Sequence, residues 1–155
     1  MSPPLIIGIG NPTRGDDGAG PRVVERLRQE RPDGRYHVVQ QLTPELAEEL
    51  SSADVVVFVD ASVRVDELTI TEVDRVHPAG TSHAAWPGAL LRLTERVYGR
   101  RPHDAVQVEI PAIELGFREA LSPPTQQGVD QATALLLGWL DAWAVDHEGE
   151  PAGEA

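Results

Sequence analysis

Residues 5–20 read LIIGIGNPTRGDDGAG, an apolar run that leads through glycine into a polar loop. The run Leu5–Gly10 is unbroken, which is typical of a strand covered on both faces. Two adjacent carboxylates, Asp16 and Asp17, end the loop, and helical spacing of apolar residues follows. This order predicts a strand, a loop and a helix, the first unit of an α/β sheet. The two carboxylates favour a cation over a phosphate in the loop.

Further strands and helices follow from the same kinds of pattern. Strands are predicted at 36–41, 54–61, 67–73 and 105–110, and helices at 43–52, 87–98 and from 123 onward. Thr43 is the expected N-cap of the second helix, and Val97 is expected on the buried face of the third. The order β-α-β-α-β-β-α-β-α predicts an α/β fold, a three-layer α/β/α sandwich around a five-stranded, mostly parallel sheet. The alternating strand 67–73 is the predicted antiparallel one. Right-handed crossovers place the first three strands in the order two-one-three.

Length and composition indicate one domain in a cytoplasmic protein. The chain has 155 residues, of which 41% are hydrophobic and 25% are charged. We expect a single domain over residues 1–146 and a disordered polar tail over 147–155. The absence of cysteine excludes disulfides, thiolate metal sites and a cysteine nucleophile. No apolar run reaches the ~18 residues that cross a bilayer, so no membrane insertion is expected, and the N-terminus lacks the pattern of a secretion signal.

The charge balance argues against one class of partner. The formal net charge is −12, from 25 acidic and 13 basic residues. Such a charge repels phosphate backbones, so nucleic acid is not an expected partner. It is compatible with a cation, with a basic partner surface, or simply with solubility.

The predicted topology brings a third acid toward the loop. Ligands of such sheets bind beyond the carboxyl ends of the strands, where the winding reverses. The first and third strands end there, at Gly10 and Asp60. The loop lacks the third glycine of a dinucleotide fingerprint and the lysine of a phosphate-binding loop. Two carboxylates would also repel a pyrophosphate, so we interpret this edge as a cation site.

A transition metal would require an imidazole in addition to the carboxylates. Five histidines are available, and their spacing does not choose among them: His37, His77, His83, His103 and His147. His77 and His83 lie in an irregular stretch, HPAGTSHAAWPG, of a kind that could fold over the site. Taken singly, Asp16 and Asp17 are also explained as stabilising charges at a helix N-terminus, and Asp60 as the cap of a turn.

GIGNPTRGDDGAGPRVVERL resembles the opening G-x-G-N-x-x-x-x-D-[DE]-G-x-G of the hydrogenase maturation proteases, endopeptidases specific for nickel–iron hydrogenases. It is the first of five segments, in order along the chain, that resemble this family. QQLTPELAEEL is similar to the family's H-Q-L-T-P-E-L segment, and VVFVDAS is similar to the strand that ends in its second acid. TSHAAWPGALLRLTERVYG is similar to its S-H-x-x-x-x-x-x-L-L-x-L segment. VEIPAIELGFREALSP is similar to its I-x-P-x-x-x-x-x-G-x-x-L-S-P segment.

The resemblance implies a function and a set of site residues. It implies an endopeptidase that removes a C-terminal peptide from the hydrogenase large-subunit precursor after nickel insertion. Carried over residue by residue, the family's nickel-recognising groups fall on Asp17, Asp60 and His83. Nickel is then carried by the substrate and is not a tightly bound resident cofactor. Asp16 remains as a structural acid on the N-terminal side of the following helix.

This chain departs from the family pattern at two places. Asp17 stands where the family often has glutamate, so the metal would lie nearer the loop. Gln40-Gln41 stands where one branch has histidine followed by glutamine. Gln41 and Thr43 are candidate substrate contacts, although a polar strand end and a helix cap explain them as well.

Other mechanisms fit the sequence less well. Ser82 beside His83, and Ser62 near Asp60, could suggest a serine triad, but neither serine lies in a G-x-S-x-G motif. The H-E-x-x-H motif of metallopeptidases is absent. Metal-assisted hydrolysis is the favoured mechanism. The alternative function is a nickel-dependent chaperone or binding module that holds the precursor without cleaving it.

Overall fold

The computed structural model describes residues 2–73 and 86–150. Its strands are β1 (Leu5–Ile9), β2 (Arg35–Val39), β3 (Val55–Ser62), β4 (Thr69–Glu72) and β5 (Asp104–Pro111). Its helices are α1 (Ala19–Glu30), α2 (Leu46–Ser51), α3 (Trp86–Tyr98) and α4 (Pro123–Asp146), and a single 3-10 turn, Gly15–Gly18, precedes α1. The elements follow the order that the sequence predicts.

One five-stranded sheet in the order β2-β1-β3-β5-β4 organises the fold. β1 pairs in parallel with β2 and with β3, and β3 pairs in parallel with β5. β4 pairs antiparallel with β5 at one edge. The predicted order two-one-three and the predicted antiparallel strand are therefore confirmed. Loops that follow β1, β3 and β5 leave the sheet at the same edge, which we call the carboxyl edge.

Successive side chains of the buried strands pack into two different cores, because they point to opposite faces of the sheet. Ile6 and Val57 lie in the core under α1 and α4. Ile7 and Phe58 lie in the core under α2 and α3. This explains why β1 and β3 are continuous apolar runs, and it makes the predicted three-layer α/β/α sandwich.

Three glycines let the first loop and α1 lie directly against the sheet. Gly10 has φ +142°, and a Cβ there would be 1.8 Å from the carbonyl oxygen of Asp17. Gly20, near the start of α1, would place a Cβ 2.4 Å from the carbonyl oxygen of Val59. Gly8 faces Gly20 from within β1, so it permits close packing of the helix and is not a turn residue. This tight packing fixes the loop against the end of β3.

Two local predictions are wrong. Thr43 is not an N-cap: α2 begins at Leu46, whose N–H bonds to the Thr43 carbonyl across a turn, and no side chain caps this helix. Val97 is 61% exposed, because the last turn of α3 extends into solvent. α3 has 13 residues and α2, against which it packs, has six.

The end of α4 is closed by His147. Its Nδ1 lies 2.8 Å from the carbonyl oxygen of Trp143, and the two rings stack with centroids 4.3 Å apart. The helix itself ends at Asp146, where the sequence places the end of the domain. Residues 147–149 form a turn, and 151–155 lie outside the described residues. Among the helices of the described part, none is both long and apolar enough to cross a bilayer.

Candidate functional site

An acidic cavity of about 300 Å³ opens at the carboxyl edge. Asp17 reaches it from the first loop, Asp60 from the end of β3 and Glu109 from the end of β5. Val63, Arg64, Ala112 and Leu115 contribute to its walls from the loops that follow these two strands. The first loop and β3 thus meet where the winding of the sheet reverses, as the topology predicts.

Asp17 is held by the loop that carries it. One of its carboxylate oxygens, Oδ2, accepts a 2.8 Å hydrogen bond from the backbone N–H of Asn11. The close approach of Gly10 to the Asp17 carbonyl fixes the backbone on the other side. The side chain is half-buried, and Oδ1 has no hydrogen bond among the described residues that would compete with a ligand.

Asp60 and Glu109 lie side by side on one face of the sheet. They are partners in the register of β3 and β5, and Ile9 of β1 is the partner of Asp60 on its other side. Phe58, two residues before Asp60, packs under α2 and α3, so Asp60 and Glu109 point to that same face. Glu109 is not among the site residues predicted from the sequence. A charged residue within the apolar strand VEIP is the signal that could have indicated it.

Burial and the neighbouring carboxylates change the protonation of Asp60. Burial first, and then the negative charge of Asp17, raise the pKa of its carboxyl from the ordinary 3.8 to about 7. The backbone N–H of Ala61 opposes this rise, while Glu109 adds to it. A bound cation would relieve the repulsion between these carboxylates, which makes the cavity suited to positive charge.

Asp16 points away from the cavity and ties the first loop to residues 112–122, which connect β5 to α4. It is 0% exposed and accepts hydrogen bonds from the backbone N–H groups of Ile113, Glu114 and Ser122 and from the Ser122 hydroxyl, all at 2.7–2.9 Å. Burial raises the pKa of Asp16, but these hydrogen bonds outweigh burial and hold the pKa at about 2. The acid is structural, as expected, but through this cross-link and not through a helix terminus.

The predicted substrate contacts Gln41 and Thr43 do not line the cavity. Gln41 is exposed and Thr43 is half-buried; both follow β2 at the carboxyl edge, and neither is among the described residues that line the cavity. His83 lies outside the described residues, as do His77 and Ser82. Within 2–73 and 86–150, no three acidic, histidine or cysteine side chains are placed to hold a metal ion by themselves. A cation here would therefore require donors in addition to Asp17, Asp60 and Glu109.

Solved structures of hydrogenase maturation proteases have the same fold. A hydrogenase maturating endopeptidase, HybD from E. coli, superposes with a TM-score of 0.70 at 19% identity, covering 90% of this chain and 93% of that one. A [NiFe] hydrogenase maturation protease, HycI from Thermococcus kodakarensis KOD1, gives a TM-score of 0.66 at 24% identity, again covering 90% and 93%. The five-stranded α/β fold of this chain is that of the proteases it resembles in sequence.

A curated relative is linked to hydrogenases by its name as well. The coenzyme F420 hydrogenase subunit delta of Methanothermobacter thermautotrophicus is 28% identical over 155 aligned positions, which cover 86% of this chain and 91% of that protein. No family model matches the chain.

Proposed function

We propose that this chain is an endopeptidase that removes a C-terminal peptide from the nickel-loaded large subunit of a nickel–iron hydrogenase. The observation that carries the proposal is the meeting of Asp17 and Asp60 in one acidic cavity, within the fold of the maturation proteases. The five sequence segments that resemble this family lie in the same order along the chain.

In this proposal two carboxylates and an imidazole recognise the nickel that the precursor already carries. Asp17 offers the oxygen that Asn11 leaves free, and Asp60 offers a carboxylate whose charge is favoured once a cation is near. His83 is the proposed third ligand. It precedes α3 by three residues, and α3 covers the sheet face on which Asp60 lies. The basis for choosing His83 is its place in the S-H segment of the resemblance.

Recognition of nickel would also position the scissile bond. With its coordination completed by Asp17, Asp60 and His83, nickel would hold the adjacent peptide carbonyl at the carboxyl edge. Attack then comes from a water that the metal makes more acidic, or from a water that a carboxylate deprotonates. Because two carboxylates and one imidazole form an open site, the metal would arrive and leave with the substrate.

The experiment is to incubate nickel-loaded precursor with the purified wild-type protein, Asp17→Asn, Asp60→Asn and His83→Ala. We expect a decrease in the size of the large subunit with wild-type protein and no decrease with any variant. Asp66→Asn is the control, since Asp66 is an exposed acid outside the cavity, and it should process normally. Normal processing by both Asp17→Asn and Asp60→Asn would contradict the site.

The metal content of the purified protein tests whether it holds a metal ion of its own. Protein purified without chelators should contain much less than one metal ion per chain. Stoichiometric, tightly bound zinc would indicate an ordinary metallopeptidase instead.

A second candidate is a binding module that holds the precursor without cleaving it. The observation that favours it is the similarity to a protein named as a hydrogenase subunit, subunit delta. A stable complex with no change in subunit size would support this candidate, and a change in size supports the protease.

A further inference from the structure

Three large apolar side chains are exposed in the segment that follows β5, and one of them also lines the acidic cavity. Ile113 is 63% exposed, Leu115 is 40% exposed and Phe117 is 86% exposed, and all three belong to the connection between β5 and α4. We call Ile113, Leu115 and Phe117 the ridge. Leu115 also lines the cavity, and Val63, 65% exposed, lines it from the loop after β3. Leu115 and Val63 thus bring exposed apolar surface to the wall of the acidic cavity.

The ridge does not result from a loose loop. Its backbone is fastened to the first loop by the bonds from Ile113 and Glu114 to the buried Asp16 carboxylate. The N–H of Gly15 also bonds to the Arg118 carbonyl, and the N–H of Arg118 bonds to the Thr13 carbonyl. A segment with this many cross-links holds its apolar side chains outward in a defined place, which is typical of a binding surface.

Arg14, in the first loop, contacts the ridge. Its guanidinium carbon lies 5.1 Å from the centroid of the Phe117 ring, and its Nε donates a 3.4 Å hydrogen bond to the Leu115 carbonyl. One arginine of the first loop therefore contacts two of the three ridge residues. The loop that carries Asp17 and the ridge form one unit, so a partner on the ridge is placed relative to the cavity.

We propose that the ridge and Val63 dock an apolar polypeptide segment of the precursor, next to the residues that carry its metal; this rests on the proposed function. The occupant must offer a cation to Asp17, Asp60 and Glu109 and apolar side chains to the ridge at the same time. A metal-loaded polypeptide meets both requirements. A second copy of this chain does not, because each copy has a net charge of −12 and would bring more carboxylates to the cavity.

The test compares two pairs of substitutions, each of which truncates two exposed apolar side chains to alanine. The ridge pair is Ile113→Ala with Phe117→Ala. The control pair is Val97→Ala with Val145→Ala, on α3 and α4, where the side chains are 61% and 67% exposed. Both pairs should fold, because exposed side chains make few contacts, and thermal unfolding checks this.

The readout is processing of nickel-loaded precursor over a range of precursor concentrations. We expect the ridge pair to raise KM by about tenfold or more and to leave kcat within about twofold of wild type, because these substitutions weaken binding of the precursor and do not touch the cavity. The control pair should match wild type. If the wild-type protein binds without cleaving, the dissociation constant of the complex takes the place of KM.

A conservative variant separates docking from loop shape. Phe117→Leu keeps apolar surface but removes the ring that Arg14 contacts, and its KM should stay within about threefold of wild type. A KM for Phe117→Leu as high as that of the ridge pair would overturn the proposal, since the arginine contact would then be what matters. Ile113→Ala alone keeps that contact and should still raise KM.

The remaining outcomes distinguish failure of the ridge proposal from failure of the proposed function. Active wild-type protein with equal KM for the ridge and control pairs would refute the ridge and leave the proposed function standing. Wild-type protein that neither cleaves nor binds the precursor would refute the proposed function, and the ridge with it. A wild-type dimer in sedimentation that the ridge pair dissociates would assign the surface to a second copy, and would also overturn the proposal.

Discussion

Replacing Asp16 by asparagine should destabilise the protein strongly, although Asp16 does not line the cavity. Both of its carboxylate oxygens accept hydrogen bonds: Oδ1 from the Ser122 N–H, and Oδ2 from the Ile113 and Glu114 N–H groups and the Ser122 hydroxyl. An asparagine must turn its NH₂ group toward at least one of these donors. One buried backbone N–H would then lose its acceptor, which costs about 1–3 kcal/mol.

The lowered pKa of Asp16 measures the same hydrogen bonds in a second way. A carboxyl with an ordinary pKa of 3.8 that titrates at about 2 in the folded chain stabilises it by about 2 kcal/mol at neutral pH. Because the folded-state pKa is lowered, this stability is complete above about pH 4 and is lost as the pH falls toward 2. Because the two values describe the same hydrogen bonds and do not add, we expect Asp16→Asn to lower the free energy of unfolding by about 2–3 kcal/mol at pH 7.

The assay is urea unfolding of wild type, Asp16→Asn and Asp66→Asn from pH 7 down to pH 2.5. Asp66→Asn, at an exposed acid, should change the free energy of unfolding by less than about 0.5 kcal/mol. The difference between wild type and Asp16→Asn should shrink below pH 4, since only wild type titrates there. A difference that is small at pH 7, or that does not change with pH, would refute the cross-link as the source of stability.

Three further predictions concern the cavity and the loop. The pKa of Asp60 is raised to about 7, so its charge destabilises the fold increasingly as the pH rises from about 4. In urea unfolding, Asp60→Asn should therefore be about 1–3 kcal/mol more stable than wild type at pH 8 and equal to it at pH 4. Equal stability of the two proteins at both pH values would contradict this. Glu109→Gln removes one of the charges that raise the pKa of Asp60, so an NMR titration of the side-chain carboxyl carbons should find that pKa lower than in wild type, and an unchanged value would place Glu109 outside the cavity's electrostatics. Gly10→Ala must bring a Cβ to within 1.8 Å of the Asp17 carbonyl oxygen and should destabilise the fold by more than about 2 kcal/mol. Gly138→Ala, in α4, places its Cβ where nothing lies within 4 Å and should stabilise the fold by about 0.5–1 kcal/mol. Similar melting temperatures for the two variants would contradict this difference in packing.

The sheet was predictable because its signals are local and strong. Continuous apolar runs in β1 and β3 identify buried parallel strands, and the handedness of crossovers then fixes the order β2-β1-β3. The meeting of Asp17 with Asp60 follows from that order alone. The same reasoning places the alternating β4 at an edge.

The details that sequence reasoning missed depend on contacts between distant residues. Glu109 joins the cavity only because β3 and β5 pair in a particular register. The partners of Asp16 lie 97 to 106 residues away in the chain. Thr43 has the right side chain for a cap, but the backbone turns before α2 begins. Helical periodicity predicts that Val97 lies on the buried face of α3. It carries no information on how far α2 extends beside that face, and Val97 is exposed.

The most direct test of the account is the intact mass of the precursor after incubation with the wild-type protein, measured for nickel-loaded and nickel-free precursor in parallel. We expect the nickel-loaded precursor to lose the mass of a C-terminal peptide and the nickel-free precursor to keep its full mass. Equal cleavage of both forms would contradict recognition through the metal, and an unchanged mass of the nickel-loaded form would contradict the proposed protease.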